Sequence, residues 1–72
     1  MEMEIKGNCL VVTPEGELDS HYADKMREKV DSAAEKYGLK NIIIDLKNVN
    51  FMDSSGIGFI VGRYKFASRK GG

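Results

Sequence analysis

Phe51-Met52-Asp53-Ser54-Ser55-Gly56-Ile57-Gly58 joins two different periodicities. Before it, Asn41-Ile42-Ile43-Ile44-Asp45-Leu46 is an apolar, β-branched run of the length of a buried strand. After it, Ile57, Ile60, Val61 and Tyr64 recur at helical spacing. The junction itself holds an acid, two serines and two glycines, residue types suited to caps and close approach. A loop that opens a helix gathers free backbone N–H groups and exposed hydroxyls at one spot. The junction is therefore the expected functional site, with Asp53, Ser54, Ser55 and Gly56 as its candidates.

Composition narrows the function classes. The 72 residues carry 11 Lys+Arg against 11 Asp+Glu, one small domain with no net field to attract nucleic acid or an anionic membrane. A hydrophobic content of 42% lies in the ordinary globular range. No apolar run approaches the roughly 20 residues that cross a bilayer, and Met1-Glu2-Met3-Glu4 does not resemble a secretory signal. Cys9 is the lone cysteine, so no internal disulfide forms and a cytoplasmic, reducing compartment is expected. His21 and Cys9 are too few for a metal site, and neither a cofactor nor a catalytic group is expected.

Working toward the N-terminus, Lys6-Gly7-Asn8 separates two short apolar runs and predicts a β-hairpin with strands near 2–6 and 9–14. Pro14 ends regular pairing there. Glu15-Gly16-Glu17-Leu18 leads out to Asp19 or Ser20 as helix N-cap. From Ser20 to Tyr37, Tyr22, Ala23, Met26, Val30, Ala33, Ala34 and Tyr37 form one amphipathic stripe, with Gly38 as the C′ residue. The opposite face, which includes Asp24, Arg27, Asp31 and Glu35, reads as solvated charge.

Toward the C-terminus, 41–46 is a strand, 47–50 a connector, and Phe51 and Met52 bury the approach to the junction. The second helix is expected from about Ser55 to Ala67, with Arg63, Lys65 and Arg69 complementing its dipole. The order β-β-α-β-α predicts an α/β fold, a small mixed sheet packed with two helices, in which strands 9–14 and 41–46 run parallel. C-terminal strand ends share one sheet edge, so Asp19, Ser20 and His21 should lie near Asp53 and Ser54, as caps or as partner contacts. Below about 80 residues one core rarely supplies more than 3–5 kcal/mol. The chain therefore reads as an incomplete domain or one that borrows surface, with homo-oligomerisation or domain swapping expected and Phe59 and Phe66 as exposed apolar contacts.

Gly16-Glu17-Leu18-Asp19, the 42–46 run, Phe51–Gly58 and Gly62-Arg63-Tyr64-Lys65 together resemble the STAS domain, most of all anti-sigma-factor antagonists of the stage II sporulation AA type. The resemblance spans the whole chain and implies a non-enzymatic cytoplasmic switch in transcription regulation and sporulation. Such a switch binds an anti-sigma factor that is also a serine kinase, and so frees a sigma factor. Phosphorylation of the serine after the motif aspartate, here Ser54, turns it off, and a serine phosphatase restores it. The resemblance also implies a further C-terminal strand and helices that are missing here.

Ser54 can be argued from physics as well. A phosphate adds about −1.5 to −2 charges at pH 7. Free N–H groups at a helix start tolerate that charge locally, whereas the Asp53 carboxylate and a desolvated interface do not. Docking should fail while the fold survives. Against this stand simpler roles: Ser54 or Ser55 as N-cap, and Gly56, Gly58 and Gly62 as packing glycines rather than a dinucleotide fingerprint, whose spacing they miss. A Ser54–His21–Asp19 triad lacks the nucleophile elbow. The alternative class is a nucleotide- or small-ligand-binding STAS module, or a truncated self-associating fragment without regulatory activity.

Overall fold

The computed structural model describes residues 1–72, in the order β1 (Glu2–Lys6), β2 (Cys9–Thr13), β3 (Glu15–Leu18), α1 (Ser20–Tyr37), β4 (Asn41–Ile44), β5 (Asn48–Met52) and α2 (Ser54–Arg69). The α/β class holds, as do the hairpin and the parallel pairing of β2 with β4. Gly7 supplies the positive φ that the tight β1–β2 turn requires. The sheet order is β1-β2-β4, and a separate two-stranded parallel sheet pairs β3 with β5.

That second sheet corrects the expected outline. Residues 15–18 and 48–52 are strands rather than a lead-out and a connector. Pro14, with no N–H to donate, ends β2, and the chain starts a new ladder one residue later. Between Gly16 and Glu17 the register slips, leaving Asn50 unpaired opposite them. Gly16, on the strand opposite the extra residue, has φ +78°, a conformation that favours glycine. The slip shifts the phase of β5, so Met52 turns inward opposite Leu18 while Phe51, expected to be buried, is 56% exposed.

The core consists of Leu10, Val12, Leu18, Ala23, Met26, Val30, Ala34, Leu39 and Phe59. Helix α1 contributes its predicted stripe apart from Tyr37, which lies past the packed turns and is exposed. Gly38 is left-handed, and Leu39 N–H bonds back to Ala34 O at 2.9 Å, closing the helix with an apolar contact. On β4 only one face is covered. Ile42 and Ile44 lie toward the helices, whereas Ile43 on the other face is half exposed, so the run is not buried throughout.

Helix α2 is turned relative to expectation. Its buried residues are Gly56, Phe59 and Arg63; of the apolar residues expected at helical spacing, Ile60 packs partly against the core while Ile57, Val61 and Tyr64 face outward. Gly56 sets this rotation. A Cβ there would lie 2.8 Å from Leu18 O and 2.5 Å from Met52 Cγ, so the helix start sits against the β3–β5 backbone as only glycine allows. Phe59 and Arg63 follow on the same face at i+3 and i+7. Gly58 and Gly62 have nothing near them and are not packing glycines. Phe59 is core rather than exposed, and Phe66 is half-buried.

Arg63 is therefore no dipole cation in a last turn. It is 6% exposed, lies over the Phe59 ring at 5.3 Å, and places Nε 2.8 Å from Asp31 Oδ1 on α1. The contact is an ion pair without hydrogen-bond alignment, and Arg63 Nη1 has no partner. Asp31 thus belongs to the helix–helix contact and not to a solvated face. Burial raises the Asp31 pKa above the usual carboxylate value, a push that the Arg63 charge only partly offsets.

Two outcomes are expected. Gly56→Ala meets backbone that cannot yield, and overpacking of about 1–3 kcal/mol should exceed the helix-propensity gain of roughly 1 kcal/mol, lowering the thermal midpoint. Gly58→Ala, with open space around it, should raise that midpoint. For Asp31, a folded pKa above the unfolded one favours the native state below the unfolded value of 3.8 and loses that benefit as pH rises through the folded value. In urea unfolding, the stability of the wild type relative to Asp31→Asn should accordingly decline as pH rises from below the unfolded value through the folded one.

Candidate functional site

The site follows from parallel pairing. In β3 and β5 the last partners are Leu18 and Met52, so the next residues, Asp19 and Asp53, leave the sheet side by side. Each is the N-cap of the helix that follows. Asp19 Oδ1 accepts from Tyr22 N–H at 3.0 Å, and Asp53 Oδ1 accepts from Ser55 N–H at 2.9 Å and Gly56 N–H at 3.3 Å. Two helix starts, each closed by a carboxylate, thus share one edge of the molecule. The expected juxtaposition of 19–21 with 53–54 is present, although the strand that delivers Asp19 is β3 and not the expected second strand.

The capping assignment changes what the serines are free to do. Neither Ser54 nor Ser55 is the cap; Asp53 is. Ser54 occupies the first helical position with its side chain exposed, as are Ser20 and His21. Ser55 is half-buried and stands at the mouth of a groove between the helices, with Ala23, Asp24 and Arg27 of α1 opposite Gly58, Phe59 and Gly62 of α2. Gly56 is buried against Leu18 and Met52, so what it gives the site is close approach rather than surface.

The structure places an apolar surface beside Ser54. Ile57, Val61 and Tyr64, at 57%, 45% and 73% exposure, continue the Ser54 face along α2 at helical spacing. The spacing was visible in the sequence; which of these residues face outward was not. No three His, Cys, Asp or Glu side chains converge to hold a metal ion, and no helix is long and apolar enough to cross a membrane.

Comparison with known proteins agrees with this geometry. The chain is 46% identical over its full length to an anti-sigma F factor antagonist of Paenibacillus polymyxa, spanning 62% of that protein. It is 38% identical over 90% of its length to an anti-sigma-B factor antagonist of Bacillus subtilis, spanning 58% of it. It therefore covers less than two thirds of these relatives' own length. Among solved structures, unphosphorylated anti-sigma factor antagonist SpoIIAA superposes with a TM-score of 0.84 at 30% identity, over 99% of this chain and 66% of that one. The phosphorylated form of the Bacillus cell fate determinant SpoIIAA gives a TM-score of 0.83 at 30% identity, over 99% of this chain and 65% of that one. The STAS domain matches residues 1–72, and with the fold, the paired caps and these relatives the chain belongs to the STAS domain family.

Proposed function

We propose that the chain is an anti-sigma-factor antagonist module, a protein–protein switch whose off signal is a phosphate on Ser54. Its partner is an anti-sigma factor that acts as serine kinase, and a serine phosphatase reverses the modification. Asp19, Ser20, His21, Asp53, Ser54 and Ser55 form the contact edge. The observation that carries this reading is that Ser54 is exposed and relieved of capping by Asp53.

Electrostatics supports an off signal that acts through charge. The Ser55 and Gly56 N–H groups already bond to Asp53, so they are not free to neutralise a phosphate on Ser54. This revises the expectation that the helix start absorbs the new charge. About −1.5 to −2 charges would instead stand beside the Asp53 carboxylate, with Asp19 at the same edge, facing any docked partner. Like charges brought together in an interface cost several kcal/mol. The similar fit of this chain to an unphosphorylated and a phosphorylated relative, 0.84 and 0.83, supports a change of charge rather than of fold.

Incubation with a cognate anti-sigma kinase and ATP, followed by mass spectrometry, tests the reading. Phosphate should map to Ser54 and vanish in Ser54→Ala; ATP bound without transfer would favour a nucleotide-binding module instead. Ser54→Glu should weaken partner binding by at least about tenfold, roughly 1.4 kcal/mol, in titration calorimetry. Its effect on stability should stay within about 0.5 kcal/mol, whereas Asp53→Ala, which removes the cap, should cost about 1 kcal/mol.

A further inference from the structure

Helices α1 and α2 face each other across a groove of about 310 Å³, with Ala23, Asp24 and Arg27 on one wall and Ser55, Gly58 and Gly62 on the other. Phe59 and Arg63 of α2 complete its lining. A Cβ at Gly58 or Gly62 would have no heavy atom within 4 Å, so the α2 wall is bare backbone and the groove stays open. No residue of β4 lines it. The groove belongs to the side of α2 that faces α1, and both of its walls are helices of this chain.

Two arginines meet here with donors unspent. Arg63 is 6% exposed, its Nε lies 2.8 Å from Asp31 Oδ1 without hydrogen-bond alignment, and Nη1 has no partner. A buried guanidinium in that condition bears the desolvation penalty of its unmade bonds, and its planar fork suits the oxygens of a carboxylate or phosphate. Arg27 is held only by Asp24, Nη1 to Oδ1 at 4.0 Å, with both side chains more than half exposed. A pair so loose and so exposed is worth little and is easily exchanged. Asp24 and Asp31 match the two arginines in number, but each engages a single nitrogen of its partner. Ser55, half-buried, adds a hydroxyl donor. The apolar lining is only Ala23 and Phe59, and Phe59 is 4% exposed with its ring against Arg63. No aromatic face is left for a nucleobase to stack on, so the lining selects a small oxyanion and not a nucleoside.

We infer that the α1–α2 groove binds a small oxyanion, a carboxylate or a phosphate monoester, held between Arg27 and Arg63 over the bare backbone at Gly58 and Gly62. The anion supplies the acceptor that the Arg63 guanidinium lacks, while Asp31 stays beside Nε. Ser55 donates to it from the mouth of the groove. The site does not use the Ser54 hydroxyl, so its fate is separate from that of the regulatory reading.

Nitrogen–proton correlation spectra of the 72-residue chain, titrated with inorganic phosphate and separately with acetate at constant ionic strength and pH, test the site. The Gly58 and Gly62 amides and the arginine side-chain N–H signals should shift and saturate together. Tighter binding of phosphate assigns the groove to phosphate monoesters, and tighter binding of acetate assigns it to carboxylates. Arg27→Gln should weaken binding by about tenfold, as expected for one charge-assisted hydrogen bond. Gly62→Leu, which fills the groove where the structure has open space, should abolish it. The same spectra report whether each variant is folded, and Arg63, which joins the two helices, is left in place. Shifts that fail to saturate, shifts spread over the surface lysines, or unchanged affinity in Arg27→Gln or in folded Gly62→Leu would overturn the inference.

Discussion

The close approach of α2 to the end of the β3–β5 sheet is the constraint on which the rest of the molecule depends. Gly56 lets helix backbone lie against Leu18 and Met52 with no side chain between them. Once that contact is made, the rotation of α2 about its axis is fixed. Phe59 enters the core, and Arg63 reaches Asp31 across the helix pair. Ser54, Ile57 and Val61 are left outside. The charged contact between the helices is poorly compensated, with burial outweighing attraction at Asp31. A buried pair of this kind contributes little net stability once desolvation is counted.

Parallel pairing turns that packing into the candidate site. Strands in a parallel ladder end together, and each of these is followed at once by an aspartate cap and a helix. Residues more than thirty positions apart in sequence are therefore delivered to one edge with no dedicated loop. The edge is polar where the caps sit and apolar along the adjoining α2 face, a composition common to the rim and centre of protein–protein contacts.

Much of this was legible in the sequence, and the failures have definite causes. Both helices, the hairpin, the Gly38 stop and the crowding of 19–21 against 53–54 follow from local signals of turn, cap and period. The β3–β5 sheet did not, because its strands are four and five residues long, rich in Glu, Gly and Asn, and phase-shifted by the Asn50 bulge. Alternation cannot be recognised where a bulge resets it. The orientation of α2 was not legible, because Ile57, Phe59, Ile60 and Val61 surround the first half of the helix and hydrophobicity alone does not choose which of them is buried. What fixed the helix was a residue with no side chain, and hydrophobicity patterns give glycine no weight. Arg63 and Asp31 were misplaced on the same grounds, since each was judged by its charge and not by the partner waiting on the other helix.

In the proposed switch, Asp53 and Ser54 divide two duties that a single serine at a helix start can combine. A hydroxyl excused from holding the first turn can be esterified without the turn unravelling. In the proposed switch, then, memory resides in one covalent bond and not in an alternative shape. Shapes relax on their own, within microseconds to seconds, whereas a phosphate monoester in water is among the slowest of bonds to break unaided. A protein built this way would keep its record until an enzyme erased it.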